Sequence, residues 1–372
     1  AEITSSKRIY EYEYVDSGIP FYRGKEITAL KNNQKIENFI YISEKRYNEL
    51  KEKYGVPSKY DILITAVGTV GNAYTIEDDK PFYFKDGNLL WLKNIKEYPK
   101  FVEYLFECNK NILLNNFFGS VQHALTISRL ENLTFYFPPL DEQKRIASAL
   151  SKIDAYLENT IKLIEEKERF KRGIAKKLLT CKEGENIPEA RFKGFEDEWE
   201  IVKLGDILSY EQPKDYIVKS EEYNNKYKYP VLTAGKTFIL GYTNEEFGIY
   251  NKLPVIIFDD FTTDAQYVDF PFKVKSSAIK ILKSKYYNTK LIYELIKNIK
   301  FNARTHKRYY ISEYQYLKIK IPKSIKEQED ISGYLSLLDE EIDNLKKQKE
   351  LIKEMKRGAM QKLLSGEVRL LE

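Results

Sequence analysis

The sequence predicts an α/β protein in which two globular domains are separated by two long antiparallel coiled-coil helices, with an internal pseudo-twofold repeat. Three observations predict this fold. One stretch of sequence occurs twice, each copy carries apolar residues at coiled-coil spacing, and a segment with short β-rich runs precedes each copy. A chain of 372 residues is long enough for several such domains, each with its own core.

The repeat pairs Phe137–Thr180 with Ile321–Ser365 once one residue after the proline is skipped. Gln143 then matches Gln328, Asp154 matches Asp339, and the Lys-Arg-Gly run that begins at Lys171 matches the run that begins at Lys356. The repeat sets the predicted boundaries. They are a first domain at 1–137, a first helix at 138–180, a linker at 181–198, a second domain at 199–321 and a second helix at 322–365.

Each copy predicts a long helix that begins just after proline, where a missing backbone N–H is tolerated and acidic residues favour the positive end of the helix dipole. Apolar residues then alternate by four and three, which is the spacing of a coiled-coil seam. The seam residues are Ile146, Leu150, Ile153, Leu157, Thr160 and Ile164 in the first copy, and Ile331, Leu335, Leu338, Ile342 and Leu345 in the second. Antiparallel packing follows if each helix leaves its own domain and both seams are buried together.

Lysines interrupt the strict heptad track further along each helix, at Lys167, Lys171, Lys349 and Lys356. A straight helix has about 3.6 residues per turn, so its apolar stripe drifts relative to a heptad track. We therefore expect neighbouring apolar residues to take over the seam, namely Leu163, Phe170, Leu351 and Met355.

The two globular domains, which we call the first head and the second head, differ in sequence where the helices agree. Buried-strand patterns occur at Asp61–Thr65 in the first head and at Val255–Phe258 in the second, with glycine-marked turns around them. The linker is rich in glycine, charge and proline, as expected between domains. Like helices with unlike heads suggest that the helices share one task while each head reads something different.

Composition excludes several classes of protein. No run of about 18 apolar residues occurs and no export signal is visible, so we expect a cytoplasmic protein without a membrane span. Cys108 and Cys181 lie far apart without neighbouring ligand residues, which predicts neither a zinc site nor a disulfide framework. The segment Lys283–Arg308 has a strong excess of lysine and arginine; it suits phosphate neutralisation or, equally, a solvated helix face.

The sequence carries no recognisable motif for catalysis. The chain lacks the Asn-Pro-Pro-Tyr loop of an adenine methyltransferase and the glycine-rich loop, followed by Lys-Ser or Lys-Thr, of an ATP-binding motor. It has only two histidines, too few for a convincing acid–base network. Asp259 and Asp260, with Lys273 and Lys275, offer a weak nuclease pattern, but turn-forming acids or base-contacting acceptors are favoured. We predict no catalytic residue and no metal ligand.

Candidate DNA contacts lie in equivalent loops of the two heads, GSVQHALTIS from Gly119 and ARTHKRYYIS from Ala303. Arginine suits guanine, glutamine suits adenine, and lysine and serine chiefly contact phosphate; the alternative is a purely structural turn. A glycine loop after the first buried strand is a second candidate, because glycines let backbone amides approach a phosphate, although it could equally be a tight hairpin. The candidates are Thr65, Gly68, Thr69, Gly71, Asn72, Ser120, Gln122, His123, Lys236, Tyr242, Thr262, Thr263, Gln266, Arg304, His306, Lys307, Arg308 and Tyr309.

The phrase FPPLDEQKRIASALSKID and its repeat resemble the specificity subunits of Type I restriction-modification systems. The stretches ARFKGFEDEWE and VKLGDIL are similar to the family's entry into its second target-recognition domain. Asp61–Lys93 in the first head and Ile256–Leu282 in the second head resemble the cores of recognition domains. Nothing equivalent to Trp199 and Leu204–Asp206 precedes Ala1, so we expect the first head to start inside its domain.

The resemblance implies a non-catalytic subunit that recognises a bipartite target in double-stranded DNA, one part with each target-recognition domain. It also implies two modification subunits, which bring S-adenosylmethionine, and restriction subunits, which bring ATP and Mg²⁺, so that no cofactor is expected in this chain. Two rival hypotheses stay open at this point. One is a stand-alone DNA methyltransferase or nuclease, and the other is a coiled-coil scaffold that joins proteins.

Overall fold

A computed structural model describes residues 1–114, 124–235, 237–303 and 307–371, and the chain folds into two compact units. Unit 1 comprises Ala1–Ile161 and Lys347–Glu372, and unit 2 comprises Lys162–Lys346. Each unit therefore combines one head with a part of each long helix.

The first head contains an antiparallel sheet and a mixed sheet, with short helices around them. Its elements are β1 (Glu2–Thr4), β2 (Tyr14–Val15), β3 (Ile19–Tyr22), α1 (Gly24–Lys31), β4 (Ile40–Ile42), α2 (Glu44–Tyr54), β5 (Ile62–Thr65), β6 (Ala73–Thr75), β7 (Tyr83–Phe84), β8 (Leu89–Lys93), α3 (Pro99–Cys108), α4 (Lys110–Leu114) and α5 (Ile127–Glu131). One sheet has the order β1-β8-β5-β6 and the other β2-β4-β3-β7. The long helix α6 (Leu140–Leu179) follows.

The second head is built in a similar way and has an additional two-stranded sheet. Its elements are β9 (Glu200–Lys203), α7 (Leu204–Ile207), β10 (Leu208–Glu211), β11 (Tyr229–Leu232), β12 (Ile239–Thr243), β13 (Val255–Asp259), β14 (Ala265–Val268), β15 (Lys273–Val274), β16 (Ile279–Ser284), α8 (Thr289–Lys297) and β17 (Lys318–Ile321). Its sheets have the orders β10-β16-β13-β14, β12-β11-β15 and β17-β9. The long helix α9 (Ile325–Leu364) ends the domain. Short 3-10 turns lie at Glu11–Glu13, Lys214–Tyr216 and Tyr314–Tyr316.

The two heads share a strand order although their sequences differ. β10-β16-β13-β14 repeats the order of β1-β8-β5-β6, with every pair antiparallel. In the second sheet, β3 pairs antiparallel with β4 and parallel with β7, just as β11 pairs with β12 and β15. The central strands β5 and β13 are apolar runs buried on both faces. The internal repeat therefore extends to the folds of the heads.

The long helices confirm the predicted seam. Ile146, Leu150, Thr160 and Ile164 on α6 are buried, as are Ile331, Leu335, Leu338 and Ile342 on α9, while the predicted seam residues Ile153, Leu157 and Leu345 are half-buried. The helices run antiparallel in each unit taken by itself. In unit 1, Arg145 bonds to the carbonyl of Leu370 and Asp154 pairs with Lys356; in unit 2, Lys167 pairs with Glu341 and Lys171 with Asp339.

The predicted drift of the seam is wrong. Leu163, Phe170, Leu351 and Met355 are 41%, 53%, 65% and 50% exposed. Lys171 and Lys356 remain at the heptad positions between the two helices instead, because each is neutralised by an acid of the opposite long helix. Lys171 pairs with Asp339, and Lys356 pairs with Asp154 at 2.8 Å and with Glu107 of α3 at 2.7 Å.

A buried glutamine joins each head to the start of the long helix that follows it. Gln143 Oε1 accepts the N–H of Tyr98, just before α3, at 2.9 Å, and Gln328 Oε1 accepts the N–H of Asn288, just before α8, at 2.8 Å. The amide groups of both glutamines donate back to proline carbonyls, those of Pro138 and Pro322. The matched residues of the repeat thus position the heads on the helices.

Candidate nucleic-acid interface

A tight turn follows the central strand of the second head. Asp259 Oδ1 accepts the N–H groups of Phe261 at 2.8 Å and Thr262 at 2.9 Å, and the N–H of Thr263 bonds to the carbonyl of Asp259 at 2.9 Å. Thr263 has a φ of +62°, a conformation that such a turn requires. Asp259 is therefore a turn-forming acid, one of the two roles that the sequence left open for it, and the turn presents Thr262 to solvent.

Asp260 connects this turn to the basic segment that precedes the second long helix. Its carbonyl accepts the N–H of Tyr309 and its Oδ1 accepts the N–H of Tyr310, both at 2.8 Å. Candidates that the sequence placed far apart are thereby brought together. We call Thr262, Thr263, Lys307 and Arg308 the second-head patch.

Arg308 and Lys307 are both exposed at this patch. The guanidinium carbon of Arg308 lies 5.9 Å from the ring centroid of Phe261, within the range of a cation–π interaction. Lys307 pairs with Glu313, and this contact raises the pKa of the lysine. Phe261 was not among the predicted residues, although an aromatic side chain beside a turn and a basic segment is a usable signal.

Three other candidates of the second head lie elsewhere. Tyr309 is buried and packs edge-on against Phe301, so its ring belongs to the core and not to the surface that was expected. Gln266 is half-buried on β14, and its Oε1 is 3.5 Å from the hydroxyl of Tyr293. Tyr242 lies on β12, in a different sheet from the patch.

The glycine loop of the first head, Thr65–Asn72, follows the central strand β5 and is closed by its own hydrogen bonds. Thr65 is fully buried; its hydroxyl donates to the carbonyl of Thr69 and accepts the N–H of Asn72. Gly68 and Gly71 have φ values of +77° and +83°, which side chains rarely adopt. Gly68 and Thr69 form the exposed tip, whereas Thr65 and Gly71 hold the loop from within.

Lys110 is a cationic residue beside this loop that was not predicted. Its Nζ donates to Asn72 Oδ1 at 2.7 Å, while the Asn72 amide donates to the hydroxyl of Thr28 at 3.2 Å. Burial lowers the pKa of Lys110, and the charge of Lys31 lowers it further. A phosphate near Lys110 would favour its charged form. The sequence gives no indication that Lys110 lies beside the loop, because Lys110 is on α4, 38 residues from Asn72 along the chain.

The two candidate regions occupy the same place in the two heads. The carbonyl of Ala66, the first residue after β5, accepts the N–H of Leu125 at 2.8 Å. The carbonyl of Asp260, the first residue after β13, accepts the N–H of Tyr309 at 2.8 Å in the same way. In both heads a turn at the end of the central strand is thus tied to the segment that leads toward the long helix.

Six predicted residues lie outside the described residues: Ser120, Gln122, His123, Lys236, Arg304 and His306. The two lysines of the weak nuclease pattern have other partners. Lys273 is buried and pairs with Glu245 at 2.8 Å, and Lys275 pairs with Glu221 at 2.6 Å. Within the described ranges, no group of three or more His, Cys, Asp or Glu residues is placed to hold a metal ion. No helix in those ranges is long and apolar enough to cross a membrane.

Known proteins resemble this chain in sequence. The chain is 51% identical over 141 residues to the type I restriction enzyme EcoR124I/EcoR124II specificity subunit of Escherichia coli, a match that covers 36% of this chain and 34% of that protein. It is 26% identical over 286 residues to the type I restriction enzyme MjaVIII specificity subunit of Methanocaldococcus jannaschii, which covers 64% of this chain and 63% of that protein. The matched region thus spans about a third of the E. coli relative.

The fold also matches a solved structure. The S subunit of the type-I restriction-modification system from M. genitalium superposes with a TM-score of 0.63 at 19% identity, covering 98% of this chain and 93% of that one. A sequence model described as the Type I restriction modification DNA specificity domain matches twice, at residues 1–166 and 196–354. Because these two matches take in both heads and most of both long helices, the chain belongs to the Type I restriction modification DNA specificity domain family.

Proposed function

We propose that this chain recognises a bipartite target in double-stranded DNA, one part with each head, as the specificity subunit of a Type I restriction-modification complex. The observation that carries the proposal is the equivalent placement of the two candidate regions, each at the end of a central strand and each tied to the segment before a long helix. Two unlike surfaces on one repeated scaffold suit two unlike half-sites. In the second-head patch, Arg308 suits a guanine edge, and Thr262 and Lys307 suit phosphates.

The proposal gives this chain no catalytic step. S-adenosylmethionine, ATP and Mg²⁺ would be bound by the partner subunits, two for modification and others for restriction, while this chain supplies sequence preference. Consistent with that division, Asp259 forms a turn and Asp260 holds the basic segment, so both acids have structural partners. A protein with this function acts where cellular DNA lies, and we propose a cytoplasmic location.

The modification subunits would bind the outward faces of the long helices. Apolar side chains stand exposed there at helical spacing: Leu163 and Phe170 are seven residues apart on α6, and Leu351 and Met355 are four apart on α9. Residues at these spacings share a helix face. Large apolar side chains exposed in rows are typical of protein interfaces.

The function is tested by assembling the chain with its modification subunit and S-adenosylmethionine and then mapping the methylated sites. We expect a split adenine-methylation motif. Arg308→Ala should weaken binding of the motif by about 1 to 3 kcal/mol and relax one half-site only, because a bidentate base contact is lost.

Lys307→Ala is the matched control for Arg308→Ala. It should weaken all duplexes alike and reduce the salt dependence of binding, as loss of a phosphate contact does. If wild type and Arg308→Ala bound the motif with equal affinity, the second-head patch would not be the surface that recognises bases. Methylation by the chain with S-adenosylmethionine alone would instead establish an enzyme, and equal binding of every duplex by the assembled complex would favour a scaffold.

The helix surface is tested separately. Phe170→Glu should raise the dissociation constant for the modification subunit about tenfold, or roughly 1.4 kcal/mol, because it places a charge in an apolar contact. Tyr286→Glu is the control, since Tyr286 is an exposed aromatic residue of the same unit that lies in the head. Titration by calorimetry distinguishes the two. Unchanged binding by Phe170→Glu, or equal losses in both variants, would place the interface elsewhere.

A further inference from the structure

A buried charge pair lies behind the second-head patch. Asp260 Oδ2 is 3.3 Å from Lys280 Nζ, and both residues are only 1% exposed. Lys280 lies on β16, where its Cα is paired with that of Phe258 on β13. Removing two charges from water is costly, and such pairs frequently add little stability compared with apolar residues of similar size. The pair therefore calls for a reason other than stability.

The backbone contacts of Asp260 supply that reason. Its N–H donates to the carbonyl of Ala278 at 2.9 Å, which fixes it to the residues that lead into β16. Its carbonyl and its Oδ1 accept two successive N–H groups, those of Tyr309 and Tyr310, both at 2.8 Å. Oδ1 of the carboxylate accepts the Tyr310 N–H, whereas Oδ2 forms an ion pair with Lys280 and has no hydrogen-bond partner among the described residues. The strand end, the neighbouring strand and the basic segment are thus held by one residue.

The aromatic side chains around the pair restrict it further. Lys280 Nζ lies 5.6 Å from the ring centroid of Tyr210, and Tyr210 packs edge-on against Tyr310 at 5.6 Å between centroids. The ring of Tyr310 also contacts Phe258 of the central strand. Tyr310 is therefore fixed through both its backbone and its ring. The backbone that carries Lys307 and Arg308 leaves this fixed point directly.

The first head shows what the carboxylate adds. Ala66 stands where Asp260 stands, and its carbonyl accepts the N–H of Leu125 in the equivalent bond. Alanine has no carboxylate, so the first head has the backbone bond alone at this position. The bond to the second N–H and the buried lysine contact are additions of the second head. They accompany the patch in which an arginine is the main candidate for base contact.

We propose that the Asp260 carboxylate, oriented by Lys280, is a positioning group that sets the sequence preference of the second head. It does so by holding Lys307 and Arg308 at a fixed place beside the turn formed by Phe261–Asp264. This inference rests on the proposed function, because it assumes that the patch contacts DNA. A side chain that reads a base must be held to within about half an ångström, which an unanchored segment does not achieve. Asp260 and Lys280 themselves are buried and need not touch DNA.

Two double variants isolate the bond to Tyr310. Asp260→Ala with Lys280→Met removes both the acceptor and the buried charge, whereas Asp260→Asn with Lys280→Met removes only the charge and keeps an oxygen for the Tyr310 N–H. Both avoid an unpaired buried lysine, so both should fold, which circular dichroism checks. The full chain is assembled with its modification subunit for binding. The probes are the duplex with the mapped motif and two duplexes with one half-site scrambled.

The alanine variant should lose about tenfold in discrimination at the half-site read by the second head, the equivalent of roughly 1.4 kcal/mol. Its discrimination at the other half-site should equal that of wild type, which a general loss of structure would not allow. The asparagine variant should lose less discrimination than the alanine variant at the half-site read by the second head, because it keeps the oxygen for the Tyr310 N–H but lacks the ion pair with Lys280 that orients the side chain. At the other half-site it should equal wild type.

Equal selectivity of the two variants, whether retained or lost, would overturn the positioning role of the Tyr310 bond. Equal loss at both half-sites in the alanine variant would also overturn it, because the effect would then be structural. A wild-type complex without selectivity at either half-site would overturn the proposed function itself, and that outcome is visible before any variant is made.

Discussion

Glu327→Ala is expected to lower the free energy of unfolding of unit 2 by about 3 to 5 kcal/mol, the usual cost of removing one partner from a buried ion pair. Glu327 is buried at the start of α9. Its carboxylate accepts two bonds from Arg191, at 2.8 and 2.9 Å, and one from the indole N–H of Trp199 at 3.2 Å. Alanine would leave the guanidinium and the indole without these acceptors.

The two tryptophans of the chain make the measurement specific. Trp91 lies in unit 1 and Trp199 in unit 2, so a Trp91→Phe background leaves a single reporter beside Glu327. Urea unfolding is then followed by the fluorescence of Trp199. Glu340→Ala is the matched control on the exposed side of the same helix, where a change within about 0.5 kcal/mol is expected. Similar losses in the two variants would contradict the assigned role of Glu327.

Unit 1 contains a counterpart of this contact. Glu142, at the start of α6, accepts bonds from Arg369 at 2.8 and 2.6 Å and from the N–H of Leu370 at 3.1 Å. The side chain of Arg369 is 47% exposed, whereas that of Arg191 is 12% exposed. Water can replace part of the lost contact when an arginine is half exposed. Glu142→Ala should therefore destabilise its unit less than Glu327→Ala does.

The long helices were predictable because their signal is local. A seam residue is identified by neighbours three or four positions away, and Leu150 and Leu335 are buried as that spacing requires. The positions of the lysines could not be predicted from local spacing. Whether Lys171 can stay at its heptad position between the helices depends on Asp339, which lies far along the chain in the other copy of the repeat. Spacing alone favoured a drift of the seam, and the charges of the partner helix decided otherwise.

The heads were less predictable because their order comes from pairing between distant strands. The sequence indicated strands at Asp61–Thr65 and Val255–Phe258, close to the observed β5 and β13, but not that β16 lies between β10 and β13. The candidate site was difficult to predict for the same reason, because contacts between distant residues decide which side chains are exposed. Residue type pointed to Tyr309 and Arg308 equally, and only the bonds to Asp260 turn the tyrosine inward while the arginine stays exposed.

Gln328→Leu should destabilise unit 2 by about 3 kcal/mol, because it leaves two partly or fully buried backbone groups unpaired at roughly 1 to 3 kcal/mol each. Gln328 is fully buried. Its Oε1 accepts the N–H of Asn288 at 2.8 Å and its Nε2 donates to the carbonyl of Pro322 at 2.7 Å, so one side chain joins the start of α8 to the start of α9. Leucine has a similar size but no polar atom to replace either bond.

Trp199 fluorescence during urea unfolding reports this loss as well, and Gln328→Glu is the conservative variant. A protonated glutamate keeps the acceptor for Asn288 and has an O–H that can donate to the Pro322 carbonyl, so its loss should be smaller than that of leucine. An ionised glutamate lacks this donor and adds a buried charge, so the loss should grow as the pH rises. Gln143→Leu is the matched change in unit 1, where the bonds to Tyr98 and Pro138 are both 2.9 Å; Trp91 should report it and Trp199 should not. A Gln328→Leu protein as stable as wild type would show that the packing of Leu291 and Leu295 against Ile331 and Leu335 holds the second head on its helix without the glutamine.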